Sequence, residues 1–127
     1  MRDRLVILGN AAHTIHPVGA QGFNLALRDV AVLAEILADN ENKDPGESGL
    51  LNQYSRWRKQ DQRETIATSD GITRLFAHPS GLAAALRTSA LMAHALLPSL
   101  RRKSAIQAMG YRGRVPRLAL GEPLSPV

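Results

Sequence analysis

The chain has 127 residues, no cysteine and a formal net charge of +5 at pH 7. This length allows one domain with a modest core, and 44% hydrophobic with 21% charged residues argues against a disordered or fibrous protein. The absence of cysteine excludes disulfides and thiolate metal sites. No apolar run approaches the roughly 18 residues that a membrane span needs, and the N-terminal apolar run is too short for a signal-peptide core. The positive charge suits nucleic acid, an anionic membrane surface or an acidic partner equally well.

The first predicted element is a strand over residues 5–8, the apolar run Leu-Val-Ile-Leu that Gly9 ends. A short continuous apolar run is typical of a strand buried on both faces, as in a parallel sheet. One strand cannot bury both of its faces by itself. We therefore expect either that the chain self-associates or that the rest of the sheet lies in a preceding segment of a larger protein.

Four helices are predicted after this strand. The first begins at Gln21 and ends before a polar loop at residues 40–48, and the second runs from about residue 49 to 76. Ser80 is a candidate N-cap of the third helix, and a shorter basic helix follows Pro98 and ends at Gly110. The tail after Tyr111 is predicted to have little regular structure. The fold class is therefore mainly α, with one short N-terminal strand followed by about four helices.

Apolar spacing predicts which helix faces are buried. The second helix has a polar middle between residues 58 and 65, and its predicted buried side is Leu50, Tyr54, Trp57, Ala67, Ile72 and Leu75. The third helix carries the stripe Leu82, Leu86, Ala90, Ala93 and Leu97. Packing into the protein's own core explains this stripe, and so does contact with a membrane surface through the adjacent Arg101, Arg102 and Lys103. His94 is predicted to pack between helices.

The segment between the strand and the first helix is rich in turn residues. A strand, a glycine turn and a helix start bring backbone N–H groups and a positive helix end towards an anionic or electron-rich ligand. The segment has neither the Lys-Ser/Thr of a phosphate-binding loop nor the G-x-G-x-x-G dinucleotide fingerprint. His13 and His16 have no third ligand in view, so we predict no metal site. From these residues alone, a ligand loop and a purely structural turn remain equally open.

The stretch LVILGNAAHTIHPVGAQGFNLALRDVAVLAEIL resembles the second flavin-binding motif of the flavin-dependent aromatic hydroxylases of the para-hydroxybenzoate hydroxylase type. Within that family it is most similar to the ubiquinone-biosynthesis hydroxylases. The stretches YSRWRKQDQRETIATSDGITRLF and AIQAMGYRGRVPRLALG resemble the helical C-terminal part of those enzymes. The resemblance implies the C-terminal part of an α/β FAD-binding monooxygenase fold. It implies three regions: residues 1–40 completing the FAD-binding domain, residues 41–110 as a C-terminal helical region, and residues 111–127 as a basic Pro/Gly-rich tail.

The resemblance also implies which residues contact FAD: Gly9, Asn10, Ala11, Pro17, Gly19, Ala20, Gln21, Gly22, Phe23 and Asn24. Asn10 stands where the family has an aspartate that bonds a ribityl hydroxyl, and an amide can make the same hydrogen bond. Gly19 and Ala20 reverse the family's Ala-Gly order. No catalytic acid, base or nucleophile is expected in this chain, since the cofactor carries the chemistry.

The function implied is hydroxylation of a polyprenylated phenol in ubiquinone biosynthesis, with FAD, O2 and NAD(P)H. The expected partners are the missing N-terminal FAD-binding segment, a ubiquinone-biosynthesis complex or a membrane surface, and a second copy of the chain, but no nucleic acid. The expected location is the cytoplasm, with peripheral contact at the inner membrane. Residues 1–127 alone are expected to be inactive. The alternative is a non-catalytic helical interaction or docking module of a biosynthetic complex.

Overall fold

The computed structural model describes residues 4–17, 21–111 and 113–124. Within these ranges it contains the helices α1 (Gln21–Ala38), α2 (Ser48–Ala77), α3 (Gly81–Leu96) and α4 (Pro98–Ala108), with 3-10 turns at Gly9–Ala11 and Arg117–Leu120. The predicted mainly helical class and the four helices are therefore confirmed. None of the helices in the described part is both long and apolar enough to cross a membrane.

The predicted strand over residues 5–8 is not formed in the described part of the chain. Leu5 makes an isolated bridge, and Leu8 is extended, with φ −123° and ψ 159°. Val6 and Leu8 pack against the core, whereas Leu5 and Ile7 are 48% and 54% exposed, as expected for alternate residues of an extended segment. A strand is defined by hydrogen bonds to a neighbouring strand, and the described residues offer none. The apolar run therefore has one covered face and one open face.

The core lies between α1 and α2. Val32 and Ile36 of α1 pack against Leu50 and Tyr54 of α2, and all four are buried. Leu25, one turn from the start of α1, is also fully buried. Apolar residues at helical spacing account for this part of the core, because they place one stripe of each helix against the other.

The buried face of α2 differs from the prediction in its second half. Ala67 and Ile72 are exposed, whereas Thr65 and Ser69 are buried. The Ser69 hydroxyl lies 3.4 Å from the carbonyl oxygen of His16, to which it donates a hydrogen bond. Apolar periodicity missed this face because the positions that meet the 9–17 segment are polar and hydrogen-bonded rather than apolar.

The third helix is capped as predicted, but its apolar stripe is not covered by the described residues. The backbone N–H of Ala83 donates to the Ser80 hydroxyl at 3.2 Å, and Arg87 donates to the carbonyl oxygens of Leu75 and His78 at the end of α2. Ala83 is the buried residue of α3. The stripe residues Leu82, Leu86 and Leu97 are exposed, and so is His94, which does not pack between helices as predicted.

The C-terminal tail lies on α1 and α2. The backbone N–H of Arg117 donates to Glu35 Oε2 at 2.6 Å, and Arg114 Nη2 donates to Glu35 Oε1 at 3.2 Å. The Trp57 indole N–H donates to the carbonyl oxygen of Arg114, whose guanidinium lies 3.7 Å from the centre of the indole ring. Regular structure in the described tail is limited to a 3-10 turn, but these contacts order the tail.

Two glycines provide an opposed pair of stability predictions. Gly110 has a φ of 77°, and a methyl group there would lie 2.5 Å from Cδ of Arg28. Gly71 lies inside α2, where a methyl group would meet nothing within 4 Å. We expect Gly110→Ala to lower the free energy of unfolding by more than about 1 kcal/mol, because it combines a left-handed backbone with a clash. Gly71→Ala should raise it by about 1 kcal/mol through helix propensity. Thermal unfolding followed by circular dichroism measures both, and equal effects would contradict the packing at Gly110.

Candidate functional site

The predicted ligand loop begins with a compact turn over residues 9–13, here called the 9–13 turn. The backbone N–H groups of Ala12 and His13 both donate to the carbonyl oxygen of Gly9, at 2.9 and 3.1 Å. Gly9 has a φ of 60°, and a methyl group there would lie 3.3 Å from Cβ of Ala26 in α1. Glycine suits a position that has a left-handed backbone and little space for a side chain. The glycine therefore lets the turn lie directly on α1.

The turn is held to α1 by a buried carboxylate. Nε2 of His13 lies 2.7 Å from Oδ2 of Asp29, whose side chain is completely buried. An ionised carboxylate only accepts hydrogen bonds, so Nε2 of His13 is the donor. Nδ1 of His13 is buried and has no hydrogen-bond partner among the described residues.

The charge of Asp29 is balanced from α2. Nε of Arg58 donates to Oδ1 of Asp29 at 2.7 Å, and Nε2 of Gln62 donates to the same oxygen at 3.0 Å. Burial raises the pKa of Asp29, but the hydrogen bonds from Arg58, His13 and Gln62 outweigh it and bring the pKa below its ordinary value. Asp29 is therefore ionised at neutral pH.

Asp61 extends these contacts to the end of α4. Its Oδ2 accepts from Nη1 of Arg58 at 2.6 Å and from Nε of Arg28 at 2.9 Å. Gly110 lies directly against the Arg28 guanidinium. We call the six side chains of this network the Asp29 cluster: His13, Arg28, Asp29, Arg58, Asp61 and Gln62. The cluster joins the 9–13 turn, α1 and α2, and α4 ends against it.

The predicted FAD contacts fall into two described groups. Gly9, Asn10 and Ala11 form the 3-10 turn, in which Asn10 and Ala11 are exposed. Gln21, Gly22, Phe23 and Asn24 form the first turn of α1, where Phe23 is 72% exposed and Asn24 is also exposed. Pro17 is exposed, and Gly19 and Ala20 lie outside the described residues.

An open cavity adjoins the start of α1. Its volume is about 530 Å³, and it is lined by Gln21, Asn24, Leu27 and Arg28 of α1 and by Ala108, Met109 and Tyr111 beyond them in the chain. The N–H groups in the first turn of a helix carry partial positive charge. The start of α1 and the end of α4 therefore lie on opposite sides of this cavity. The sequence did not predict that these two helix ends approach each other.

Sequence reasoning found the turn but missed its support. From the sequence alone, neighbouring charged residues such as Arg28 and Asp29 either orient the loop or make separate surface contacts, and the polar middle of α2 is either a solvated face or a bridge between two packing environments. The structure buries Arg58 in that middle. The available signal was the spacing of Tyr54, Arg58, Thr65 and Ser69, which continues the buried face of α2 with polar residues.

Residues 1–69 of the chain match the family model described as FAD binding domain. The chain is 39% identical over 126 residues to the ubiquinone hydroxylase UbiL of Rhodospirillum rubrum, covering 95% of this chain and 29% of the relative. It is 36% identical over 126 residues to an uncharacterized protein of Synechocystis, covering 98% of this chain and 30% of the relative.

The human mitochondrial ubiquinone biosynthesis monooxygenase COQ6 is 33% identical over 95 residues, which cover 73% of this chain and 20% of the relative. No solved structure matches the chain significantly. The chain spans less than a third of the length of these curated relatives. The family match covers the 9–13 turn, α1 and the part of α2 that carries Arg58. The chain therefore belongs to the FAD-binding domain family.

Proposed function

We propose that the chain is the C-terminal part of an FAD-dependent aromatic hydroxylase and that its 9–13 turn and the start of α1 hold the flavin. The observation that carries the proposal is the turn itself, which Gly9 and the His13–Asp29 hydrogen bond hold against α1. The start of α1 beside it is exposed at Phe23 and Asn24. A held turn next to an uncovered helix start fits a bound, electron-rich cofactor.

The residues proposed to hold the flavin are those of the opening motif: Gly9, Asn10, Ala11, Pro17, Gly19, Ala20, Gln21, Gly22, Phe23 and Asn24. When bound, FAD supplies the hydroxylation chemistry, with O2 as co-substrate and NAD(P)H as electron donor. The residues of this chain bind and orient it. The amide of Asn10 hydrogen-bonds a hydroxyl of the cofactor, and the N–H groups at the start of α1 stabilise negative charge on it.

The proposed substrate is a polyprenylated phenol of ubiquinone biosynthesis. Two relatives carry names that place them in that chemistry, the ubiquinone hydroxylase UbiL and the monooxygenase COQ6. Within the family, the opening motif most resembles that of the 2-octaprenyl-6-methoxyphenol hydroxylases. We place residues 1–40 in the FAD-binding domain, residues 41–110 in a C-terminal helical region and residues 111–127 in a basic tail. The protein would act in the cytoplasm, with peripheral contact at the inner membrane.

The surface proposed for that contact is formed by α3 and α4. From residue 71 to residue 121 the chain has eight Lys or Arg residues and no Asp or Glu. On this segment Leu82, Leu86, Leu96 and Leu97 are exposed in the described structure. Exposed leucines beside Arg101, Arg102 and Lys103 are complementary to a surface of anionic lipid, which offers both negative charge and apolar depth.

A second candidate function is a helical interaction module, and the same exposed leucines favour it. An apolar surface of this kind also fits a second copy of the chain or a partner in a biosynthetic complex. The two functions differ in what the chain binds. A module associates with protein and has no need of flavin, whereas a hydroxylase part binds FAD together with the segment that precedes it in the relatives.

The first test is a titration with FAD, followed by flavin absorbance and fluorescence. We expect residues 1–127 alone to bind FAD weakly or not at all, and a protein that joins them to the preceding segment to bind it stoichiometrically. The chain spans less than a third of the length of these relatives, which supports the proposal that part of the FAD site lies outside residues 1–127. Absence of binding in both cases, with strong self-association, would favour the interaction module.

A matched pair of glycines tests whether the 9–13 turn contacts the flavin. Gly9 and Gly113 both have a left-handed backbone, with φ of 60° and 71°. Alanine costs about 1–2 kcal/mol in such a conformation at either position. This strain lowers the stability of the folded protein in both variants, but only Gly9→Ala displaces the turn that is proposed to contact the flavin. We therefore expect Gly9→Ala to weaken FAD binding by about tenfold, which corresponds to about 1.4 kcal/mol, whereas Gly113→Ala should leave FAD binding unchanged. Equal FAD affinities of the two variants would remove the turn from the flavin site.

Vesicle flotation tests the proposed membrane surface. The combined change of Arg101, Arg102 and Lys103 to Gln should lower binding to vesicles containing phosphatidylserine by about a hundredfold, since each basic residue near such a surface contributes about 1 kcal/mol. The matched control changes Arg56, Lys59 and Arg63, three exposed basic residues of α2, to Gln. Equal losses for both triples would indicate attraction by net charge alone. If the unchanged protein does not bind these vesicles, the membrane proposal fails and the apolar face is better explained by contact with a protein partner.

A further inference from the structure

We propose that Asp29 is a positioning residue for the flavin: through His13 it fixes the orientation of the 9–13 turn, and Arg58 of α2 fixes Asp29. The proposal rests on the proposed function, because it takes the turn to be a flavin contact. It assigns a role in cofactor binding to the C-terminal helical region, whose residues were not predicted to approach the cofactor.

The two oxygens of Asp29 have separate partners. Oδ2 accepts from Nε2 of His13, whereas Oδ1 accepts from Arg58 and from Gln62. The contacts from α2 therefore hold the carboxylate from one side and leave the other side to the histidine. With both oxygens engaged and none of the side chain exposed, the carboxylate has little freedom to rotate.

The hydrogen bond to Asp29 fixes the position of the histidine ring. Because Nε2 carries the hydrogen that Asp29 accepts, the ring cannot turn without losing this buried hydrogen bond. The backbone N–H of His13 closes the turn on the carbonyl oxygen of Gly9 at 3.1 Å. One residue thus links the buried carboxylate to the backbone that is proposed to contact the flavin.

The competing explanation is that Asp29 forms a purely structural salt bridge. A comparison with Asp61 distinguishes this explanation from a positioning role. Asp61 is a carboxylate of the same cluster, bonded to Arg58 and Arg28, with 24% of its side chain exposed. It accepts from both arginines, whereas His13 donates to Asp29. Removing its charge perturbs the same arginines without freeing the histidine. Asp61→Asn is therefore the matched control for Asp29→Asn.

The experiment uses the complete FAD-loaded protein with four variants: Asp29→Asn, His13→Gln, the combination of both, and Asp61→Asn. FAD affinity, the flavin reduction potential and the visible flavin spectrum are measured together with thermal unfolding. We expect Asp29→Asn and His13→Gln each to weaken FAD binding by about tenfold or more, the size typical of losing an orienting partner, and to shift the potential. Asp61→Asn loosens Arg58 but keeps the His13–Asp29 hydrogen bond, so it should weaken FAD binding less than either of these variants.

The combined variant decides whether Asp29 acts through His13. If it does, the double change weakens FAD binding no more than the larger single change, because both remove the same link. Additive losses, or equal losses for Asp29→Asn and Asp61→Asn, would overturn the proposal and leave a structural salt bridge. If Asp29→Asn does not fold, the comparison of His13→Gln with Asp61→Asn still decides whether the link to the turn matters.

A readout that needs no flavin separates failure of this proposal from failure of the proposed function. In NMR spectra of isotope-labelled histidine, Nε2 of His13 should carry a hydrogen that is protected from exchange with solvent by its bond to Asp29. Loss of this signature in Asp29→Asn supports the holding role, and its absence in the unchanged protein overturns it. If the signature is present but the complete protein binds no FAD, the proposed function fails while the link between Asp29 and His13 stands.

Discussion

The described structure depends on an ionised carboxylate that has no exposed surface. Asp29 is tolerable inside the protein only because Arg58, Gln62 and His13 bond it from two sides. Those partners come from α2 and from the turn that precedes α1. A packing that kept Asp29 buried without Arg58 would leave its charge uncompensated from α2, at a cost of about 3–5 kcal/mol. The apolar core beyond it adds stability, but the carboxylate specifies which faces meet.

The same constraint explains why the C-terminal region matters to an N-terminal motif. Arg58 reaches Asp61, Asp61 reaches Arg28, and Gly110 at the end of α4 lies against Arg28. The 9–13 turn is therefore supported by side chains of α2 that follow His13 by 45 or more residues in the chain. Turn residues alone hold a loop weakly, whereas hydrogen bonds and an ion pair to a buried carboxylate restrain its orientation more strongly.

Two of the apolar surfaces left open in the described part of the chain differ in character. Leu5 and Ile7 are exposed on an extended segment, which suits the addition of a further strand. The leucines of α3 lie in a segment that has no acidic residue from residue 71 to 121. The two surfaces therefore suit different partners. A sheet edge needs backbone hydrogen bonds from a neighbouring strand, while a basic apolar face is complementary to an anionic surface.

The sequence by itself determined the helices, the Ser80 cap, the turn at Gly9 and the resemblance to flavin enzymes, because these depend on local spacing and on residue types next to one another. It could not determine that residues 5–8 form no strand within the described part of the chain, since a strand depends on a neighbour. The spacing of Thr65 and Ser69 continues the buried face of α2, but it does not show that polar residues there are buried, and it does not join His13, Asp29 and Arg58. Burial of polar residues depends on partners distant in the chain, and apolar periodicity carries no information about them. Only the tertiary structure decided which polar residues of α2 face the turn.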